Sequence, residues 1–107
     1  MSADVAAPAF LAPAQRPSIS EALDQLARQE DIAAYLIEHG HRGVIGEPDA
    51  CPVHQYLYAA TGHEVSVDAP IWRADTGEDD YDRGTLPGSI LGFICRFDLG
   101  KHPELER

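Results

Sequence analysis

The chain has 107 residues, 44% of them hydrophobic, and 8 Lys and Arg against 18 Asp and Glu, for a formal net charge of −10. That length holds one domain whose folding buries roughly 65% of the extended-chain surface, and the apolar content excludes wholesale disorder. The acidity excludes direct binding to nucleic acid or an anionic membrane surface unless a basic patch forms, and Arg16, Arg28, Arg42, Arg73, Arg83, Arg96, Lys101 and Arg107 are scattered along the sequence.

Residues 1–17 are rich in Ala and Pro. Pro8, Pro13 and Pro17 block regular structure, so an extended or disordered arm is expected there, with Phe10 and Leu11 as its only bulky apolar pair. No Lys or Arg precedes Phe10, which argues against a secretory signal, and no apolar run approaches membrane-spanning length. Only Cys51 and Cys95 are present, fewer than a small disulfide-stapled secreted domain carries. Free thiols in the cytoplasm are the expectation.

Order is expected from residue 18 to 105, with 106–107 as a tail. Ser18 and Glu21 have the spacing of a capping box, in which hydroxyl and carboxylate satisfy amides that the first helical turn leaves free. Behind them Ile19, Ala22, Leu23, Leu26, Ala33 and Ile37 make one apolar stripe. Glu30 falls within that stripe, which predicts a kink or a break into two helices near Gln29–Asp31. Gly40 supplies the stop.

After a glycine-rich loop, Asp49 or Cys51 caps a further helix with Pro52 in its first turn, burying Val53, Tyr56, Leu57 and Ala60 and ending at Gly62. The period then switches. Glu64 to Asp68 alternates polar and apolar as a half-buried strand does, Ile71 to Ala74 is its partner, and Tyr81 to Leu86 is a third extended piece. Leu86-Pro87-Gly88-Ser89 opens a last helix with an apolar face of Ile90, Phe93, Ile94 and Phe97, closed by Gly100 and Pro103. The fold class is therefore α+β, with three or four amphipathic helices packed on a small antiparallel hairpin or sheet.

The set Cys51-Pro52-Val53-His54-Gln55-Tyr56-Leu57, Val65-Ser66-Val67, Leu86-Pro87, Phe93-Ile94, Phe97-Asp98-Leu99-Gly100 and Pro103-Glu104-Leu105 resembles short uncharacterised proteins of actinobacteria and their phages. The likeness spans about Ile32 to Leu105. It implies a bacterial cytoplasmic setting and no particular activity.

Four motifs bear on chemistry. Asp75-Thr76-Gly77 matches the aspartic-protease triplet, and Ile90-Leu91-Gly92 matches a later piece of that fold. The stretch from Glu78 to Ser89 is too short for the intervening strands and flap, and the flanks Arg73, Glu78, Asp79 and Asp80 are charged where strand residues should be apolar. A turn accounts for Asp75 and Gly77. The acidic cluster Asp75, Glu78, Asp79, Asp80 and Asp82 has the hard oxygen ligands that calcium or magnesium prefers, yet an EF-hand loop starting at Asp75 would need glycine where Asp80 stands and glutamate where Leu86 stands. It reads as a solvated acidic turn, or as a recognition surface for a basic partner.

Cys51 and His54 sit at a helix start, where backbone amides favour a thiolate. With His39 and His41 they form a conceivable set of zinc ligands, H-x-H followed by C-x2-H. A buried cysteine and a surface histidine explain the same residues. Finally, Trp72 and Tyr81 flank the acidic turn and would anchor a partner if exposed, whereas a buried Trp72 would roof the core. Tyr58, off the buried stripe, is expected to be exposed.

No serine triad, phosphate-binding glycine loop or dinucleotide fingerprint is present, so no catalytic residue and no cofactor is assigned. The function expected is a non-enzymatic protein-binding module. It would use Trp72, Asp75, Glu78, Asp79, Asp80, Tyr81 and Asp82 against a protein with a basic surface, without membrane or direct nucleic-acid contact. Zinc binding by Cys51, His54, His39 and His41 is the alternative, and phage-type inhibition of a nucleic-acid-binding protein is a third. Oligomeric state is left open.

Overall fold

A computed structural model describes residues 16–75 and 81–107, with only the backbone of Asp75, Tyr81 and Asp82. The arm expected over residues 1–17 lies outside the described residues as far as residue 15. The described part is an α+β fold of four α-helices and a three-stranded antiparallel sheet.

Helix α1, Ile19–Ala27, begins with the expected capping box: the Glu21 N–H donates to Ser18 Oγ at 3.1 Å, and the Ser18 N–H donates to Glu21 Oε1 at 2.9 Å. The helix stops at Arg28. Asp31 then caps a separate helix, α2, Ile32–Glu38, by accepting from the Ala34 N–H at 3.0 Å. That break resets the helical phase. Continuing the stripe of α1 predicted burial of Ala33 and Ile37, but α2 buries Ile32, Ala33 and Leu36 and leaves Ile37 37% exposed. Glu30 falls in the exposed connection and never faces the core.

Helix α3, Pro52–Thr61, has Cys51 as its N-cap and Gly62, at φ +80°, as its left-handed stop. Val53, Tyr56, Leu57 and Ala60 are buried as expected. The Tyr56 hydroxyl donates to the Ala22 carbonyl at 2.7 Å, tying α3 to α1.

Strands β1 (Val65–Asp68), β2 (Ile71–Asp75) and β3 (Tyr81–Thr85) form a meander in the order β1-β2-β3. Val65, Val67, Trp72 and Ala74 turn inward; Arg73 and Ile71 turn outward, because successive side chains of a strand point to opposite faces. Helix α4, Gly88–Asp98, starts after Pro87 and buries Ile90, Phe93, Ile94 and Phe97.

A short 3₁₀ turn, Pro103–Leu105, drives Leu105 fully into the core. Residues 106–107, expected to be a tail, are paired: Glu106 bridges to Gly43, the Gly43 N–H donates to the Leu105 carbonyl at 2.9 Å, and the Arg107 N–H donates to the Gly43 carbonyl at 2.8 Å. Gly43 is obligatory where this same loop closes on the residues that precede α3. A β-carbon there would overlap the carbonyl oxygen of Ala50 and the backbone of Cys51.

Candidate functional site

The residues singled out for partner binding are carried by the β2–β3 hairpin. Its strands pair in unbroken register from Ile71 opposite Thr85 to Asp75 opposite Tyr81. Glu78, Asp79 and Asp80 lie outside the described residues, as do the side chains of Asp75, Tyr81 and Asp82. The β2–β3 pairing ends at Asp75 opposite Tyr81, one residue pair beyond the last β1–β2 pair, Val65 opposite Ala74.

Trp72 is not an exposed anchor. It is 5% exposed and packs against Gly84, directly opposite it on β3. Alternation puts it on the same face as Val67 and Ala74, so burial follows from strand parity. It roofs the core, and holds the hairpin to it.

The opposite face carries a feature that the linear sequence hides. Arg73 and Arg83 stand directly across from each other on β2 and β3, both exposed, with Ser66 next in the row on β1. Facing like charges are unfavourable on a sheet. Among the described residues neither guanidinium has an ion-pair partner. Scattered positions 73 and 83 gave no hint of this, because the register that unites them depends on the length of the connection.

The register also fixes what the sheet leaves unpaired. The Leu86 N–H donates to the Pro70 carbonyl at 2.9 Å, which makes Leu86 and Pro70 a hydrogen-bonded pair. Hydrogen-bonded and non-hydrogen-bonded pairs alternate along an antiparallel ladder. Gly84 and Asp82 therefore bond to β2, while the backbone groups of Tyr81, Arg83 and Thr85 point away from it, along the outer edge of β3. Among the described residues no further strand lies on that edge. The other edge is partly covered, because the Val67 N–H donates to the Pro48 carbonyl at 3.0 Å. Beside β3 a shallow cleft of about 220 Å³ is lined by Ser18, Ile19, Ser20, Trp72 and Arg83.

The alternative metal set is not assembled. Cys51 and His54 meet only through a hydrogen bond from the His54 backbone N–H to Cys51 Sγ, 3.3 Å. His54, expected on the surface, is buried. Its ring turns to strand β1, with Nδ1 2.6 Å from the Val65 carbonyl and Nε2 3.4 Å from Glu64 Oε1. His39 and His41 stack near-parallel with centroids 6.4 Å apart, beside Tyr35 and Tyr56, and His39 Nδ1 lies 2.9 Å from the Tyr35 carbonyl. Among the described residues no group of three or more His, Cys, Asp and Glu is placed to hold a metal ion.

Nor is Cys51 an activated thiol. Burial pushes its pKa up to about 11, against the smaller opposing pull of the His54 and Val53 amides. Desolvation outweighs the helix start, contrary to the thiolate expected from position alone. Cys95 is exposed on α4 and far from any of these groups in sequence. No helix of the described residues is long and apolar enough to cross a membrane.

Compared with protein-family models, with curated proteins and with solved structures, the chain matches none.

Proposed function

We propose that this chain is a non-enzymatic protein-binding module that presents the acidic segment Asp75–Asp82 to a partner with a basic surface. The observation that supports it is the hairpin's anchorage. Trp72 and Ala74 are consumed by the core, whereas Glu78, Asp79 and Asp80 fall in the connection between two strands whose pairing runs to their ends. The acidic residues of that connection would supply the charge that a basic partner meets, and a net charge of −10 adds long-range steering. The cytoplasm of a bacterial cell is the setting proposed, in line with two free thiols and with the resemblance to short actinobacterial and actinophage proteins.

The test is site-specific photocrosslinking in the native host, with a photoreactive residue in place of Thr76 and a control at Gln25 on α1. The expected result is one basic protein crosslinked from position 76 and not from 25. That crosslink should weaken in high salt and disappear in the Asp79→Lys/Asp80→Lys variant, whose melting temperature stays unchanged. Capture that survives the double reversal would remove this surface from consideration. A captured nucleic-acid-binding protein that DNA or RNA displaces would assign the chain to inhibition by charge mimicry.

A further inference from the structure

Among the described residues the outer edge of β3 is unpaired, and the arginine pair and the neighbouring cleft lie beside it. We propose that the β3 edge docks an extended peptide segment by strand addition, and that the segment carries one acidic side chain between two apolar ones. The proposal concerns a different surface from the hairpin tip and does not depend on it.

The backbone supplies the template. Arg83 and Thr85 direct their N–H and carbonyl groups outward, and an added strand would pair with them as one does in other edge-recognition modes. Such an edge is ordinarily blunted. Here the opposite edge of the sheet is covered at Val67 by Pro48, while among the described residues β3 has no backbone partner besides β2.

The two faces supply the specificity. On the outer face, the position of the new strand opposite Arg83 continues the row Ser66, Arg73, Arg83. A carboxylate there meets two guanidiniums that have no ion-pair partner among the described residues. Residues on either side of it point inward, toward the cleft, whose apolar floor is Ile19 and Trp72, both nearly buried. Gly84 carries no side chain to block that approach, and a β-carbon at this position would come within 2.9 Å of Trp72 Nε1. At the start of α1 the capping box engages the Ser18 and Glu21 amides, and Arg83 brings the positive charge that lines the cleft. The pattern required is apolar, acidic, apolar. A polyacidic segment is ruled out by repulsion from a chain of net charge −10.

A second copy of the chain fits this edge poorly. Two-fold antiparallel pairing centred on Arg83 sets Arg83 opposite its own copy, and pairing centred on Asp82 sets Asp82 opposite its own copy, like charge facing like charge in either register. Centring on Gly84 brings Tyr81 opposite Pro87, which has no N–H to give.

The experiment uses the full chain and a random-peptide library displayed on phage. The expected outcome is enrichment of alternating sequences with a single Asp or Glu between apolar residues. A synthetic peptide of the enriched sequence should perturb the amide signals of Arg83 and Thr85 and the indole signal of Trp72. Arg83→Glu should weaken its binding at least about tenfold, and so should replacing the peptide's acid by Lys. Arg83→Pro removes an outward N–H without touching the β2–β3 ladder, and should abolish binding while the circular dichroism spectrum persists. If that variant fails to fold, Arg83→Glu and the signal map decide. Absence of enriched peptides, enrichment without the alternating pattern, perturbations confined to another surface, unchanged affinity in Arg83→Glu, or a dimer that Arg83→Pro dissolves would each overturn the proposal.

Discussion

The Nδ1 atom of His54 lies 2.6 Å from the carbonyl oxygen of Val65, joining the first turn of α3 to the first residue of β1. A carbonyl oxygen only accepts, so Nδ1 carries the proton and donates. This short bond, buried and between elements, fixes where the sheet begins relative to the helical layer.

His54→Ala should therefore lower stability by about 1–3 kcal/mol, since it leaves a buried carbonyl without its donor as well as a void. His54→Asn, which keeps a donor, should recover part of the loss. Glu64→Gln should change stability by less than about 0.5 kcal/mol, because the Glu64 side chain is 75% exposed. Urea unfolding of the three variants measures this, and equal losses for His54→Ala and Glu64→Gln would contradict it.

Gly43→Ala should be costly for a reason unrelated to backbone propensity. Its β-carbon would overlap Ala50 and Cys51 and push the loop off the C-terminal strand segment. A loss of about 1–3 kcal/mol is expected, with faster amide exchange at Arg107 and Leu105. Leu105→Ala, which empties a fully buried position, should cost about 2–5 kcal/mol. Exchange unchanged at Arg107 in the Gly43 variant would show that the two segments are not coupled.

Stability should be highest on a plateau bounded by His41 on the acid side and by Cys51 and then Tyr56 on the alkaline side. Burial, with the His39 charge second, holds the pKa of His41 below its ordinary 6.5, so the unfolded chain takes up that proton first and stability falls as pH drops below 6.5. Cys51 is pushed the other way, from 9.0 to about 11 by burial, so the unfolded chain releases its proton first. Stability is fully present below 9.0 and declines as pH rises toward 11, by roughly 2–3 kcal/mol. Unfolding free energies across this range check both limbs. His41→Gln should flatten the acidic one, and Cys51→Ala the alkaline one between 9.0 and 10.0, above which the buried Tyr56 hydroxyl, also pushed up, adds its own decline.

The two thiols should differ sharply in reactivity. Cys95 is exposed and Cys51 is buried and protonated at neutral pH. A thiol reagent should modify Cys95 within the native state and reach Cys51 only on unfolding. Equal labelling rates of the folded chain would show that the α3 start opens readily.

Much of the fold was legible because local signals are strong here. Ser18 with Glu21, the period-two run at Val65–Asp68, and Gly62 each act within a few residues. Ile37 was misplaced because the helical phase cannot be carried across a break whose residue count is unknown beforehand. The site was less legible for a related reason. Whether Trp72 faces in or out, and whether Arg73 meets Arg83, depend on strand register, which long-range packing sets. His54 was misread because a polar side chain in a core is explained by its acceptor, and Val65 is 11 residues away. The C-terminal pairing with Gly43 left no mark on hydropathy at all.

The sheet joins only strands adjacent along the chain, whereas Gly43 meets Glu106 and Ala22 meets Tyr56 across long separations. Ordering thus comes cheaply within the meander and at a high entropic cost at the closing contacts. Weakening Gly43 or Leu105 is expected to accelerate opening of the native state and leave the rate of its formation nearly untouched. A chevron plot whose refolding arm shifts in those variants would instead put this closure inside the folding nucleus.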